Sequence, residues 1–249
     1  MMLRRLAQAL KEQNWTAIFI EFVLLVVGVF LGIQVANWNS ARIERAQETM
    51  YLTRLAEDVR SDIAEIDEIN RVSTQRMSAL AYLLREATGQ ALPASFDSAR
   101  GRIQIIDVPA YDPNDTKTIG VALFILTTLD GNRLAYDTLV NNDGIGVIRD
   151  DALVRAIQSY YAAVDKVLIF EDALEISRVK LIDAQQQAGL SPVDVLPAAE
   201  LAARFGENAG LLAAAKNYWL YTNRHLFLMS ELRREAETLA ARIEEAKQP

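Results

Sequence analysis

The residues best equipped for chemistry in this chain are one histidine, a few acids grouped on a helix and a carboxylate inside an apolar run. His225 is the only histidine. An imidazole titrates near neutral pH and suits proton transfer, but His225 stands in the apolar seam of the last helix. That position predicts a hydrogen-bonded core histidine. A metal site would need more ligands than this one ring. The chain has no cysteine, so carboxylates alone remain, and those suit only a hard cation. The loop Asn141-Asn142-Asp143-Gly144 has Leu139 and Val140 before it, where a calcium loop requires an acid. Glu171, Asp172 and Glu175 read as a solvated helix face, with a paired-acid hydrolase as the competing reading. No G-x-S-x-G, phosphate-binding glycine loop or H-E-x-x-H occurs. The expectation is therefore no catalytic, cofactor or metal site, and no enzyme.

Glu21 is the exception that the apolar run must explain. A carboxylate in a membrane span is costly unless it is paired, protonated or turned toward protein or water. A hydrogen bond between helices is the plainer reading and a proton or ion relay the sharper one; a single acid makes no pathway. Tyr160, Tyr161, Tyr218, Trp219 and Tyr221 concentrate aromatics in the two C-terminal helices. Core packing is the expected role, with a ligand pocket between helices as the alternative.

These residues are positioned by a small number of long elements. Residues 16–38 are apolar almost throughout, long enough at ~1.5 Å per residue to cross a hydrocarbon core of ~30 Å. Trp15 and Trp38 sit at its two ends, where amphipathic rings settle at the membrane interface. The buried helix of a soluble protein is the competing reading, disfavoured because the run has almost no polar face. Residues 1–15 read as an amphipathic segment at the membrane surface, with Leu3, Leu6 and Leu10 on one side. The apolar run exceeds the ~7–15 residues of a cleavable signal core, which favours an uncleaved anchor. Arg4, Arg5 and Lys11 before the span against Arg42, Arg45 and Arg54 after it tip the domain toward the outside.

The soluble part, 39–249, reads as one α-helical domain. From Asn39 to about Thr88 there is no proline or glycine, and Leu52, Leu55, Val59, Ile63, Ile66, Met77, Leu80 and Leu84 recur at helical spacing. Gly89 and Pro93 stop that helix. Residues 102–108 have strand-like composition without a visible partner, so an extended segment packed on helices is expected. Ile119–Leu129 reads as a buried helix. Helices follow over about 133–140, from an Asp150 or Asp151 cap to near Gly189, over a short stretch to Phe205, and from Asn208 to about Lys247. The last carries Leu211, Ala215, Tyr218, Thr222, His225, Met229, Leu232, Ala236, Leu239 and Ile243, alternating by four and three. The predicted fold is all-α: a single N-terminal transmembrane helix continuing into an elongated helical bundle.

The span also carries a resemblance. Glu21-Phe22-Val23-Leu24-Leu25-Val26-Val27-Gly28-Val29, then Gln34 and Asn37-Trp38-Asn39, resembles an uncharacterised bacterial family of single-span membrane proteins. Tyr136, Leu139, Ile148, Asp150, Leu153, Ile157 and the pair Tyr160-Tyr161 match it further on. Asp143 departs from it, standing where that family usually has glycine. The resemblance implies membrane location and a helical fold, and it brings no activity.

The formal net charge of −7, without a basic cluster, argues against nucleic acid as partner. The expected partners are the lipid bilayer and another transmembrane helix, in a homo-oligomer or a larger membrane complex. At ~100° per residue Glu21, Leu25, Gly28, Gly32, Val35 and Asn39 share one face, and Gly28 and Gly32 form a G-x-x-x-G pair that admits a close helix. Leu55, Val59, Ile63 and Ile66 have rotated away from it, toward the domain's own core. The functional expectation is a membrane-anchored interaction or scaffold protein of the bacterial inner membrane, its domain periplasmic. An extracytoplasmic ligand-sensing module is the alternative, and a membrane-tethered enzyme is less favoured.

Overall fold

A computed structural model describes residues 15–99, 101–112, 119–141 and 144–247, with side chains from Ile18 onward. The expected amphipathic segment 1–15, apart from the backbone of Trp15, lies outside the described residues, as do 113–118 and Asn142-Asp143. The fold is all-α apart from one hairpin. In chain order it runs α1 (Trp15–Thr88), β1 (Ser95–Ser98), β2 (Gly101–Gln104), α2 (Ile119–Phe124), α3 (Leu134–Asn141), a 3-10 turn (Gly144–Val147), α4 (Asp151–Gln187), α5 (Ala198–Glu207) and α6 (Ala209–Ala246). The chain divides into two compact units, Met1–Met50 and Tyr51–Pro249.

In the first unit, residues 18–40 are helical and exposed at every position. Among the described residues this stretch of α1 is the one long and apolar enough to cross a membrane, with mean hydropathy 2.6.

The second unit is built on three long helices, the α1 residues from Tyr51 onward, α4 and α6. Their ends are fixed by local chemistry. Gly89 adopts φ +65°, which a side chain would strain, and its N–H closes the last turn of α1 on Arg85 O at 2.9 Å. Asp150 caps α4 by accepting from Ala152 N–H and Leu153 N–H at 2.7 and 3.2 Å. The same helix ends on Gly189 in a Schellman arrangement, with Leu190 N–H donating to Gln185 O and Gly189 N–H to Gln186 O. Asn208 caps α6 through Leu211 N–H at 3.0 Å.

Two apolar cores result. One joins Leu52–Ile69 of α1 with Leu153–Val167 of α4 and Leu228–Ile243 of α6. The other joins Met77–Leu84 with Leu174 and Leu181 of α4, the α5 residues Leu201 and Phe205, and Leu211–Leu226 of α6. All ten residues of the α6 seam are buried, as are Leu55, Val59 and Ile66; Ile63 is half-buried.

Two expectations are corrected. The extended segment has a strand partner: β2 pairs antiparallel with β1, Phe96 opposite Ile103. The Asn223 side-chain amide then continues the ladder, donating to Gln104 O at 3.0 Å and accepting from Ile106 N–H at 2.8 Å. The helix expected over Ile119–Leu129 stops at Phe124. The physical reason is competition for the backbone. Arg178 donates to Phe124 O at 3.1 Å, and Arg76 to Ile125 O at 3.0 Å. Carboxylates take the N–H groups of Leu129 and Asp130. Residues 125–133 therefore run as an irregular strap.

Candidate functional site

Asp58, Asp62 and Glu65 stand on α1 four and then three residues apart, so one helix face presents three carboxylates. They meet the strap and the first turn of α3. Glu65 accepts from Asp130 N–H at 2.6 Å, Asp62 from Asn132 N–H at 3.3 Å, and Asp58 from Ala135 N–H at 3.0 Å. Glu171 of α4 accepts from Leu129 N–H at 3.2 and 3.1 Å through its two oxygens. The strap has few backbone partners of its own, and these four acids satisfy donors that would otherwise be orphaned. Gly131, at φ +63°, makes the bend between them.

Asp62 is nearly fully buried and also accepts from the Tyr160 hydroxyl at 2.7 Å. Burial lifts its carboxyl above the ordinary carboxylate range, and Asp58 adds to this, against the pull of Tyr160 and Asn132 N–H. Burial likewise lifts Glu65. Next to them Arg133 pairs with Asp165 and lies over the Tyr136 and Tyr161 rings, at 5.5 and 5.6 Å from their centroids.

Where the two cores meet, a second set of side chains forms a buried relay. Arg76 of α1 is 0% exposed. It donates from Nη2 to Ser73 Oγ at 2.8 Å. Ser73 Oγ lies 3.3 Å from His225 Nδ1, and His225 Nε2 lies 2.9 Å from Glu171 Oε1. The proton positions follow from chemistry. A guanidinium only donates, so Ser73 Oγ is an acceptor toward Arg76, and its own hydrogen is free for His225 Nδ1. The ring is then the neutral Nε2–H tautomer, donating to the Glu171 carboxylate, so the serine and imidazole hydrogens each have an acceptor, while the buried Arg76 Nε–H has none. Burial pulls His225 below its ordinary value; Glu171 opposes this and Arg76 reinforces it. Burial also lowers Arg76.

Ser73, His225 and Glu171 together have the composition of a nucleophilic triad. Ser73 and His225 are 1% and 0% exposed, and Arg76 already occupies the serine oxygen. A substrate carbonyl has no route to that hydroxyl in this conformation. What reaches water is the Glu171 end. It lines a cleft of about 840 Å³ walled by Phe124 at the end of α2, by strap residues such as Ile125 and Leu129 and by α4 residues including Ile169, Asp172 and Arg178. Arg178 forms a two-pronged pair with Glu175 at 2.6 and 2.7 Å. Among the described residues no group of three or more His, Asp or Glu is placed to hold a metal ion.

His225 thus takes the place expected of a core histidine, with both ring nitrogens bonded. Glu171 does not take its expected place on a solvated face; it is buried between the cores, while Asp172 beside it is exposed. Asp62, Ser73 and Arg76 were not singled out by the sequence reading. A signal existed. Leu52, Leu55, Val59, Asp62, Ile66, Ile69, Ser73, Arg76 and Leu80 alternate by three and four, so the polar three occupy core positions of the seam.

In the first unit Glu21, Leu25, Gly28, Gly32, Val35 and Asn39 all lie on α1 and are exposed. A Cβ at Gly28 or Gly32 would meet nothing within 4 Å. Trp38 is 67% exposed, and the Trp15 side chain lies outside the described residues.

Residues 21–90 match the model of a family of unknown function, DUF6090. The match takes in most of the apolar stretch of α1 together with Asp58, Asp62, Glu65, Ser73 and Arg76. No curated protein and no solved structure matches the chain.

Proposed function

We propose that this chain is a membrane-anchored α-helical interaction protein. Residues 16–38 cross the bacterial inner membrane, and the domain from Tyr51 onward lies on the periplasmic side. Its partner is another transmembrane helix, in a homo-oligomer or as part of a larger membrane complex. It packs on the face formed by Glu21, Leu25, Gly28, Gly32, Val35 and Asn39. The observation that carries the reading is that the apolar window of α1 is 0% buried by its own chain. So much exposed apolar surface requires lipid or protein around it. Gly28 and Gly32 leave open the space a close helix backbone needs. Glu21 on the same face would be sheltered there by an interhelical hydrogen bond. The domain contributes the cleft at Glu171, which favours ligand sensing as the second reading.

The test compares two variants in a transmembrane association assay. Gly28→Leu with Gly32→Leu should weaken association, whereas Val26→Leu, on another face, should not. Equal behaviour of the two refutes the packing face. A phosphatase fused after Pro249 should be active outside the cytoplasm; a silent fusion would reverse the orientation.

A further inference from the structure

The strap is one wall of the cleft, and it is held by side chains that titrate or depend on titrating neighbours. We propose that Arg76, Ser73, His225 and Glu171 form a proton-operated latch, in which a proton on His225 releases the strap at Leu129 and opens the cleft.

The geometry supplies each step. With the imidazole neutral, the buried layer holds one cation, Arg76, and one anion, Glu171. Protonation makes Nδ1 a donor. It then faces Ser73 Oγ, which already accepts from Arg76 at 2.8 Å. The serine hydrogen loses its acceptor, two cations converge on one hydroxyl oxygen, and the layer becomes net positive between two apolar cores. Such a layer is stable only if water reaches it. In chain order the layer falls between Ile69, Val167 and Leu228 of the first core and Met77, Leu174 and Leu226 of the second. The strap is one wall of the cleft at its Glu171 end, and side chains rather than backbone ladders hold it. Glu171 is the shared acceptor of Leu129 N–H and His225 Nε2. An imidazolium claims that carboxylate more strongly, and the Leu129 tether loosens.

The groups acting on His225 come from every neighbouring element. From α1 these are Ser73, Arg76 and, through its coupling to Glu171, Glu65. From α4 they are Glu171 and the Phe170 ring, stacked at 6.5 Å. On α6 itself, Tyr218 is the nearest ionisable group on the buried face. The strap presents the Leu129 N–H to the shared carboxylate, while its Asp130 is exposed and bonded through its N–H to Glu65. The closed state holds His225 below its ordinary value, chiefly through burial, and contact with water relieves that burial. Opening therefore takes up a proton. Its equilibrium constant rises up to about tenfold per pH unit below the open-state value, until the closed-state value is reached.

The absence of native cysteine allows a clean test on the full chain in detergent micelles. Leu129→Cys puts a thiol at a buried strap position and Thr128→Cys one at an exposed neighbour, so their ratio of methanethiosulfonate labelling rates reports opening. The ratio should climb as pH falls below the ordinary imidazole range, and stay flat when His225→Gln is added. The single histidine gives a readout that needs no variant. Its ¹⁵N signals should show the Nε2–H tautomer at pH 8 and titrate with the same midpoint as the labelling ratio. A flat ratio with His225 present, an Nδ1–H tautomer, or an unchanged rise in the His225→Gln chain overturns the latch. So does an equal rise at Leu239→Cys, buried in the same core but fourteen residues beyond His225 on α6, which would mean global unfolding.

Discussion

Arg76 is the buried group whose removal is most informative. It is 0% exposed, yet no carboxylate bonds to it directly; its anion, Glu171, lies three hydrogen bonds away through Ser73 and His225. Arg76→Met keeps most of the volume and removes the charge. It unpairs Ile125 O and the Ser73 oxygen, and leaves Glu171 without compensation. Breaking one side of a buried ion pair costs about 3–5 kcal/mol. At about 2–4 °C per kcal/mol for a domain of this size, the midpoint falls by on the order of 6–20 °C. Glu171→Gln keeps one acceptor oxygen for Leu129 N–H and leaves Arg76 as the unpaired charge, at a similar cost. In the double variant neither charge remains. Its cost should fall short of the sum by about 2 kcal/mol or more, because the penalty counted in each single variant is absent. Thermal unfolding of the full chain in micelles, followed by circular dichroism, measures all three. Additivity within about 0.5 kcal/mol would mean that the two charges do not sense each other, and the relay would be a coincidence of packing.

Two further outcomes follow from individual positions. Because burial raises Asp62 in the folded state above its ordinary 3.8, the folded protein takes up its proton first, and stability from this group is gained as pH falls. The stability difference between the wild type and Asp62→Asn should therefore shift in favour of the wild type between pH 7 and pH 4. A difference that stays constant in urea titrations would place the charge elsewhere. At Gly206 an added Cβ would lie 2.7 Å from Ala87 O, a backbone atom at the end of α1. Gly206→Ala should cost about 1–3 kcal/mol, whereas Gly146→Ala, with nothing within 4 Å, should be close to neutral in the same melt.

Much of this architecture is legible in the sequence, because helices announce themselves through period and punctuation. The α6 seam from Leu211 to Ile243, the Asn208 cap, the Asp150 cap and the stop at Gly89 are local signals, and the structure realises each of them. The segment that follows β2 and the strap are less legible for a common reason: their backbone partners are distant side chains. Nothing near residue 104 in the chain foretells Asn223. Nothing near Phe124 foretells Arg76 and Arg178, which take the carbonyls that would have continued the helix.

The buried layer is the harder case, and its illegibility has a definite cause. Each long helix carries its polar interruption in register with its own seam: Ser73 and Arg76 between Ile69 and Leu80, Glu171 between Val167 and Leu174, His225 between Thr222 and Met229. Taken one helix at a time, each looks like a lapse in the apolar pattern, or, for Glu171, like part of a solvated acidic face. Counted from Leu153, Ile157, Tyr160, Val164 and Val167, Glu171 is the next seam position, yet Asp172 and Glu175 beside it make it look like part of a charged face. What makes the three lapses one feature is that the helices bring them to a single level, and helix register is a property of the packed domain. Polar residues on seam positions of three separate helices are thus a stronger sign of a built internal site than any one of them alone. Isolated, each would carry the desolvation cost of a buried polar group. Together they pair one buried cation with one buried anion through Ser73 and His225, and the Glu171 end of that layer lines the cleft beside the strap.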